Sequence, residues 1–316
     1  MSAVAWSCSR AQSFEECRRQ YWYRYHLAPQ ARSQTATDAA RQAYFLKQLT
    51  GPDAWAGSVV HRVIEQTLQH WRRGRAFERS DALRLAFNML EREYERSRHC
   101  RERPRDRARE TCLDRHYFDG PDAISPMLRD KLSELVSLCV RNFFGAPLSQ
   151  TIRQLDRSQW LQPERFAAAR LPAGEGEEPI LVIVRPDFAY REGDRLWILD
   201  WKTGKPNRYQ EEAQVLCYAL YAQEKWEMAI EQVMPAVVRL RPRFQLEPFP
   251  HDPDRLTIVR NYIRESHAAM TELLPDPAVD WAPAELFPLT EEAGRCRWCV
   301  FREECPGGER VRTESP

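Results

Sequence analysis

Residues 180–205 read ILVIVRPDFAYREGDRLWILDWKTGK and set the fold class of this chain. Two short apolar runs, at 180–184 and 196–199, have the composition of β-strands. The tripeptide Glu192-Gly193-Asp194 between them has the composition of a turn. We therefore predict a β-hairpin in which each apolar run is followed by an aspartate at the edge of a sheet.

The predicted hairpin brings together the carboxylates of Asp187 and Asp200 and the ammonium of Lys202. Side chains alternate along a strand, so Asp200 and Lys202 share a face and Trp201 points away. Two carboxylates can hold Mg²⁺ or Mn²⁺, and the backbone carbonyl of Trp201 is a candidate further ligand. Such an ion polarises a scissile phosphate, and a lysine beside the attacking water can orient it. The alternative is a surface hairpin that ends in an ordinary Asp–Lys pair.

The composition is that of a globular chain. Its overall charge is close to zero, so any nucleic-acid partner would have to bind a local positively charged patch. The chain has 316 residues, of which 43% are hydrophobic and 29% charged, with a net charge of +1. Its length suggests one large or two modest domains. The start of the chain lacks the pattern of a signal peptide, and no apolar run is long enough to span a bilayer. We therefore expect a cytoplasmic protein without a membrane partner.

Hydrophobic periodicity predicts a series of helices, with strands from about residue 160 onward, and hence an α/β fold. The helices are expected at residues 10–27, 38–50, 55–71, 80–98, 123–145, 209–227 and 255–274. Besides the hairpin, strands are expected at 165–171 and 231–240.

Further candidate site residues lie on two of these helices. His61 and Glu65 are four residues apart, so they share a helix face, and a neutral His61 ring is a candidate third metal ligand. Gln214 and Tyr218 have the same spacing and are candidates to hold Lys202 or a phosphate oxygen. Glu164, before the first core strand, is a weaker acidic candidate. Ordinary core or surface positions are the alternative for each of them.

Nine cysteines in a chain expected to be cytosolic favour metal or cluster ligation over a disulfide framework. Cys296-x-x-Cys299 and Cys305 supply three thiolates, and Cys17 is the best candidate for the fourth, ahead of Cys8. Such a site would join the two ends of the chain. Buried cysteines without a metal are the alternative. Cys139 and Cys217 fall on apolar helix faces, and we assign no role to Cys100 and Cys112.

Two arginine-rich segments are candidate nucleic-acid contacts. Residues 96–115 contain eight arginines, and Arg18, Arg19 and Arg24 lie among aromatic residues of the first helix. Arginines that contact phosphates together with aromatic rings that stack on bases would form a path for a single strand. A solvated polar connector is the alternative for residues 96–115.

Taken together, these motifs resemble the RecB-type branch of the PD-(D/E)xK nucleases. The resemblance is carried, in order, by Gly57-x-x-x-His61-x-x-Ile64-Glu65, Asp187, Asp200-Trp201-Lys202-Thr203-Gly204 and Gln214-x-x-x-Tyr218. The aromatic segment around Cys17 and the late C-x2-C-x5-C are similar to the iron–sulfur members of that branch. These include the AddB nuclease domain and the CRISPR-associated RecB-like exonucleases. One departure is Pro186, where many relatives have glycine.

The resemblance implies a role for each matched residue. It assigns a Mg²⁺ or Mn²⁺ ion to His61, Asp187 and Asp200, catalysis to Lys202, and a supporting role to Gln214 and Tyr218. It assigns a [4Fe–4S] cluster to Cys17, Cys296, Cys299 and Cys305, for which zinc is the less favoured occupant.

The resemblance also implies a restriction-endonuclease-like core, which is a mixed central sheet flanked by helices, with additions to it. We expect a single nuclease domain over 1–316, with an N-terminal cap and cluster segment at 1–50 and a helical insertion at 70–150. The catalytic core is expected at 160–275 and the C-terminal cluster segment at 290–308.

The implied activity is hydrolysis of DNA, in single strands or at ends, within DNA repair, CRISPR adaptation or phage defence. No G-x-x-x-x-G-K-[ST] phosphate loop is present, so a helicase partner would be a separate protein. The alternative function is a catalytically inactive DNA-binding or scaffold subunit of a larger complex.

Overall fold

The computed structural model describes residues 4–103, 110–161, 167–172, 178–276, 278–279 and 281–312. Its α-helices are α1 (Cys8–Glu16), α2 (Arg18–Trp22), α3 (Asp38–Lys47), α4 (Pro52–Arg72), α5 (Arg79–Arg98), α6 (Asp114–Asp119), α7 (Pro126–Gly145), α8 (Pro147–Gln154), α9 (Arg208–Lys225), α10 (Pro253–Glu272), α11 (Ala293–Cys296) and α12 (Pro306–Arg312). Its strands are β1 (Trp160–Leu161), β2 (Ala167–Leu171), β3 (Ile180–Val184), β4 (Phe188–Glu192), β5 (Arg195–Lys202), β6 (Val233–Arg239) and β7 (Gln245–Pro248).

The central sheet is mixed, which confirms the predicted α/β class. Its strand order is β1-β4-β5-β6-β7. The pair β5–β6 is parallel, and the other neighbours are antiparallel. The helix α9 forms the crossover between β5 and β6, as parallel neighbours require. Strands β2 and β3 form a separate antiparallel pair.

The prediction of the hairpin was wrong in one arm. The run at 180–184 is β3, which pairs with β2, whereas the strand that pairs with β5 is β4, beginning at Phe188 opposite Leu199. Pro186 accounts for the difference, because it has no N–H to continue a ladder and so favours the end of a strand. Asp187 therefore lies at the start of β4, where its N–H donates to the Leu199 carbonyl at 3.1 Å.

The two faces of β5 bury different side chains, as the strand period requires. Leu196 and Ile198 pack into a core with α9 and α10. Leu199 and Trp201 pack into a second core with α4, α5 and α7 on the other face. The sheet is thereby enclosed between two helical layers, with α9 on one face of β5 and α4 on the other.

Several helices begin at residues that cap the free N–H groups of a first turn. Ser125 accepts from Leu128 N ahead of α7, and Asp252 accepts from Arg255 N ahead of α10. Both helices, like α4, carry proline in the first turn, where its missing N–H costs nothing. The predicted helices at 55–71, 80–98, 123–145, 209–227 and 255–274 are confirmed within a few residues at each end.

The predicted continuous helix at 10–27 is interrupted. Cys17 has an extended backbone, with φ −164° and ψ 111°, and it separates α1 from α2. Its sulfur accepts from the Gln20 backbone N–H at 3.4 Å, so it caps α2. The sequence pattern is helical on both sides of Cys17, so it does not reveal that a new helix begins there.

The two terminal segments of the described chain pack together in a third core. The Tyr23 and Phe301 rings stack at 4.9 Å, and the Tyr23 hydroxyl donates to the Glu304 carbonyl at 2.7 Å. Phe45 and Leu46 of α3 complete this core. The segments that carry Cys17 and the late cysteines are therefore neighbours.

The connector after α5 contains a feature that the sequence analysis missed. Cys100 and Cys112 are joined as a disulfide, although no role was assigned to them. Residues 104–109 of the arginine-rich stretch lie outside the described residues. Of the described arginines there, Arg98 pairs with Asp122 at 2.9 Å, and Arg103 donates to the Arg96 carbonyl at 2.7 Å. These arginines therefore hold the connector to the fold.

Across the described residues, no helix combines the length and the apolarity needed to cross a membrane.

Candidate active site

The helix α4 brings His61 to the start of β4. His61 Nδ1 lies 3.1 Å from Asp187 Oδ1, a contact between residues that are 126 positions apart. The second carboxylate oxygen of Asp187 accepts from the Trp201 backbone N–H at 2.8 Å. Asp187 thus connects the helix to the end of β5.

A glycine permits this close approach of α4 to β5. A Cβ added to Gly57 would lie 2.7 Å from Thr203 Oγ1, closer than real contacts allow. The turn of α4 that precedes His61 is therefore packed directly against the residue after Lys202.

Asp200 is buried on the opposite side of the same cluster. It is 3% exposed, and its Oδ1 accepts from the Tyr218 hydroxyl at 2.8 Å. Its Oδ2 lies 2.7 Å from Lys202 Nζ, but this oxygen receives no well-directed hydrogen bond. One oxygen is thereby fixed by a hydroxyl, and the other has only the lysine charge.

Lys202, Gln214 and Tyr218 form a chain of hydrogen bonds. Lys202 Nζ donates to Gln214 Oε1 at 2.7 Å, and Gln214 Nε2 donates to the Tyr218 hydroxyl at 2.7 Å. The start of α9 is held to β6 by Arg239, which donates to both carboxylate oxygens of Glu211, at 3.2 and 2.6 Å. This pair fixes the rotation of α9 that points Gln214 and Tyr218 at β5.

Burial and neighbouring charge shift the pKa values of this cluster. Burial, and then the negative charge of Asp187, raise the pKa of Asp200, which the Lys202 ammonium only partly offsets. Burial alone would lower the pKa of His61, but the negative charges of Asp187 and Asp200 outweigh it, so the pKa is raised. Burial and the Asp200 charge raise the pKa of Tyr218, which keeps its hydroxyl protonated as a donor.

Two clefts flank the cluster, and Arg185 lines both. The Lys202 cleft, of about 610 Å³, is bounded by Cys8, Lys202, Lys205, Gln214 and Tyr218 among others. The His61 cleft, of about 690 Å³, is bounded by His61, Arg62, Arg72, Trp160 and Asp187 among others. The cluster therefore lies between two open spaces rather than at the bottom of one pocket.

The four cysteines singled out in the sequence line one small cavity of about 20 Å³. A Cβ added to Gly307 would lie 3.0 Å from the Cys296 sulfur and 3.6 Å from the Cys305 sulfur. Burial, and then the neighbouring thiols, raise the pKa of Cys299 to about 11, although a contact with the backbone of Phe301 lowers it. Cys17, Cys296, Cys299 and Cys305 are all free thiols in this structure.

A profile of the PD-(D/E)XK nuclease superfamily matches residues 5–306. The chain belongs to the PD-(D/E)XK nuclease superfamily. Its substrate class is therefore nucleic acid, and nucleases of this superfamily typically use divalent metals. The match covers nearly the whole chain, but it carries no information on the RecB-type branch or on an iron–sulfur cluster.

Comparisons with individual proteins add little to this membership. A solved structure described as "Crystal structure of SSO0001" is 13% identical, with a TM-score of 0.28, and the likeness covers 57% of this chain and 79% of that one. A TM-score this low supports no inference about this chain. None of the curated proteins compared with the chain matches it.

The cluster of this PD-(D/E)XK protein has the chemistry of a divalent-cation site. The buried Asp200 Oδ2 is a carboxylate oxygen whose partner is the Lys202 ammonium, and Asp187 places a second negative charge nearby. A hard dication takes such oxygens as ligands. As the side chains stand, no three His, Cys, Asp or Glu among the described residues surround a common position, and this holds for the acidic cluster and for the four cysteines alike.

The other predicted site residues of this PD-(D/E)XK protein have different partners among the described residues. Glu65 accepts from Gln69 Nε2 at 3.2 Å, one turn beyond His61 on α4, and it lines the His61 cleft. Arg19 donates to the Phe287 carbonyl at 2.8 Å, and Arg18 and Arg24 lie over the Phe14 and Phe301 rings. None of these arginines is among the described residues that line the two clefts. Glu164 lies outside the described residues.

Two interactions at the site were missed by sequence reasoning. The Trp201 N–H bond to Asp187 depends on the chain path through Pro186, which no local pattern records. The second is the buried Glu93 of α5, which receives both terminal nitrogens of Arg62 at 2.5 and 2.8 Å and the Trp55 indole N–H at 2.9 Å. A glutamate on the apolar face of a helix was the available signal, because such a residue is almost never buried unpaired.

Proposed function

We propose that this PD-(D/E)XK protein is a divalent-metal-dependent DNA nuclease that hydrolyses phosphodiester bonds in single strands or at ends. The observation that carries the proposal is the meeting of His61, Asp187, Asp200 and Lys202, from α4, the start of β4 and the end of β5. A structural ion pair alone would not explain why two carboxylates, an imidazole and an ammonium lie in direct contact. Among them, the buried Asp200 Oδ2 has the Lys202 ammonium, at 2.7 Å, as its partner.

Each residue has a distinct part in the proposed reaction. His61, Asp187, Asp200 and the Trp201 carbonyl hold Mg²⁺ or Mn²⁺, which when bound polarises the scissile phosphate and makes an attacking water more acidic. The Trp201 carbonyl suits this role because its own N–H already points to Asp187. In a β-strand, the N–H and the C=O of one residue point to the same side of the strand, so the Trp201 carbonyl faces the side on which Asp187 lies.

The lysine and its partners are proposed to act on the water and on the developing charge. Lys202 orients the water and stabilises negative charge on the phosphoryl group. Gln214 holds the ammonium through its amide oxygen, and Tyr218 holds Asp200 through its hydroxyl. Both are positioning residues.

We also propose that Cys17, Cys296, Cys299 and Cys305 ligate a [4Fe–4S] cluster that joins the two terminal segments. Their position around one cavity supports this, and so does Gly307, where a Cβ would lie tight against the Cys296 sulfur, at 3.0 Å. Zinc is the alternative occupant, since four thiolates suit either metal centre. The RecB-type branch, a separate helicase partner and a role in DNA repair, CRISPR adaptation or phage defence belong to this same proposal.

A cleavage assay on the purified protein tests the nuclease activity. End-labelled linear and circular single-stranded DNA are incubated with Mg²⁺ or Mn²⁺. Asp200→Asn and Lys202→Ala are each expected to lower the cleavage rate by about 100-fold or more. The matched controls are Asp194→Asn, an exposed carboxylate at the β4–β5 turn, and Lys225→Ala, an exposed lysine at the end of α9.

Undiminished cleavage in Asp200→Asn or Lys202→Ala would remove the mechanism. Tight DNA binding without cleavage by the wild-type protein, on single-stranded, duplex and RNA substrates, would instead favour a binding or scaffold subunit.

A further inference from the structure

An apolar slot of about 280 Å³ lies between α9 and α10. Its walls include Leu216, Val259, Ile258, Tyr209 and Tyr262. Tyr209 is 67% exposed and Ile258 is 58% exposed, so an aromatic ring and an aliphatic side chain face solvent side by side. Exposed apolar groups at a concave surface indicate a place where another apolar surface docks.

The slot opens from the Lys202 cleft. Tyr209, Ala213 and Tyr262 line both spaces. Tyr209 precedes Gln214 by five residues on α9, which places it about 7.5 Å further along the helix axis. A strand with a phosphate beside Lys202 would therefore bring a nearby base to the slot.

The two tyrosines of the slot differ in how firmly they are held. The Tyr262 ring is partly buried and meets the Trp6 ring edge-on at 5.9 Å. Tyr209 stands in the first turn of α9 with most of its ring exposed. Tyr262 is thus a fixed wall, and Tyr209 presents a free face.

The positive charge that a polyanion would meet lies in the Lys202 cleft rather than at the slot. Lys202, Arg185 and the exposed Lys205 line that cleft, together with Glu15 and Glu211. At the slot, Glu212 and Asp252 share Arg255, at 2.9 and 3.2 Å. The cleft is therefore the better place for phosphates, and the slot suits an uncharged, apolar group.

We propose that this slot takes an unpaired nucleobase of the substrate strand, stacked on Tyr209, while the backbone phosphates follow the Lys202 cleft past Lys205. This inference rests on the proposed nuclease function and narrows its substrate. A base that enters the slot must have left the base stack of a duplex. The preferred substrate is therefore a strand that is single-stranded on the Lys202 side of the scissile phosphate.

The test measures binding separately from cleavage. Single-stranded oligonucleotides with 2-aminopurine at successive positions are bound to protein carrying Asp200→Asn, which allows binding without turnover. One position is expected to lose fluorescence, because its base stacks on the Tyr209 ring. Adding Tyr209→Ala should abolish that loss and weaken binding by about 5- to 150-fold, the range for one base–aromatic stack. Tyr209→Phe keeps the ring and should preserve both.

Controls separate this subsite from general effects. Phe87→Ala removes an exposed ring on α5 and should change neither readout. An abasic site at the responsive position should weaken binding to the protein with Tyr209, but not further weaken binding to Tyr209→Ala. A fully paired duplex should show no position-specific quenching.

The outcomes distinguish the two proposals. Equal binding and equal quenching in the presence and absence of the Tyr209 ring would overturn the subsite, even if wild-type protein cleaves DNA. Position-specific quenching that depends on Tyr209, in a protein that cleaves nothing, would overturn the nuclease and leave the subsite standing.

Discussion

Asp200 is only 3% exposed, and its two oxygens have different partners. The Tyr218 hydroxyl fixes Oδ1 at 2.8 Å, and Lys202 faces Oδ2. Because Gln214 bridges Lys202 and Tyr218, the two partners of Asp200 are coupled to each other. A change at Tyr218 should therefore reach both the carboxylate and the ammonium.

Tyr218→Phe removes a hydroxyl that donates to Asp200 and accepts from Gln214. We expect activity to fall by about 10- to 100-fold, the usual effect of losing a residue that orients a metal ligand. Circular dichroism and the unfolding midpoint should stay close to wild type. Steady-state cleavage rates against Mn²⁺ concentration measure the effect. Tyr221→Phe, on the same helix, is the control, and an equal loss in both variants would count against a positioning role for Tyr218.

Much of the candidate site could be predicted from the types and the spacing of its residues. The order of His61, Asp187, Asp200 and Lys202 identified the residues that meet in the fold. The hydrogen bond from Tyr218 to Asp200 was not predictable, because it depends on the rotation of α9. That rotation is fixed by a pair between Arg239 and Glu211, which no local pattern marks.

At the scale of elements, the site depends on how α4 lies against β5. The two elements approach each other closely at Gly57, because a side chain there would meet Thr203. This packing explains the glycine in the pattern Gly57-x-x-x-His61. The sequence indicated both elements, and their ends are correct within a few residues. It misassigned the partner strand of β5, because two β-rich runs lie on either side of Pro186 and only the longer-range contacts choose between them.

Gly57→Ala is expected to destabilise the protein by about 1–3 kcal/mol, since the new methyl group meets the Thr203 hydroxyl. Removing that hydroxyl in Gly57→Ala/Thr203→Ala should restore part of the loss, and urea unfolding measures the coupling. Gly145→Ala is the control, because a Cβ there meets nothing within 4 Å. Equal free energies of unfolding for Gly57→Ala and Gly145→Ala would contradict the close contact between α4 and β5.

Glu93 links α4 and α5 and makes the stability depend on pH. Burial raises the pKa of Glu93, but hydrogen bonds from Arg62 and Trp55 and the charge of Arg62 outweigh it, so the pKa lies below its usual 4.5. A carboxyl with a lowered pKa in the folded state stabilises the fold above the unfolded value. That contribution is lost as the pH falls through the folded value.

Glu93→Gln should therefore lower the free energy of unfolding at pH 7 by about 1–3 kcal/mol. The difference from wild type should shrink as the pH falls below the ordinary glutamate value of 4.5. Urea unfolding at a series of pH values measures both. Glu95→Gln, an exposed position on the same helix, should stay within about 0.5 kcal/mol. A difference at Glu93 that does not change with pH would show that its charge is not what stabilises the fold.

At the scale of the whole molecule, the segments at the two ends of the described chain share one core. Tyr23, Phe45 and Phe301 form this core, and the four cysteines lie beside it. The C-x2-C spacing predicted that the late cysteines act together. Cys17 was chosen over Cys8 because arginines and aromatic residues surround it in the sequence, and in the structure Cys8 instead lies 3.8 Å from Cys217.

Cys299→Ser is expected to reduce soluble yield and to abolish bound iron, since a cluster with three cysteine ligands would no longer join the terminal segments firmly. Iron and sulfide content and the visible absorption of protein purified without oxygen measure this. Cys139→Ala, a buried cysteine of α7 far from the cavity, should keep the wild-type iron content. A colourless wild-type protein with stoichiometric zinc would replace iron with zinc, and a stable, folded, metal-free Cys299→Ser would argue against a structural role.

Trp6 has a consequence for the order in which the chain acquires its structure during synthesis on the ribosome. Its N–H donates to the Leu181 carbonyl at 2.7 Å, its carbonyl accepts from Ile183 N at 2.8 Å, and its indole donates to Ser266 Oγ at 2.8 Å. Every one of these partners is translated long after Trp6. At ordinary elongation rates the delay is on the order of 10 to 50 s. A nascent chain stopped before residue 266 therefore lacks the partner of this indole, so a segment that is translated early is among the last to be placed.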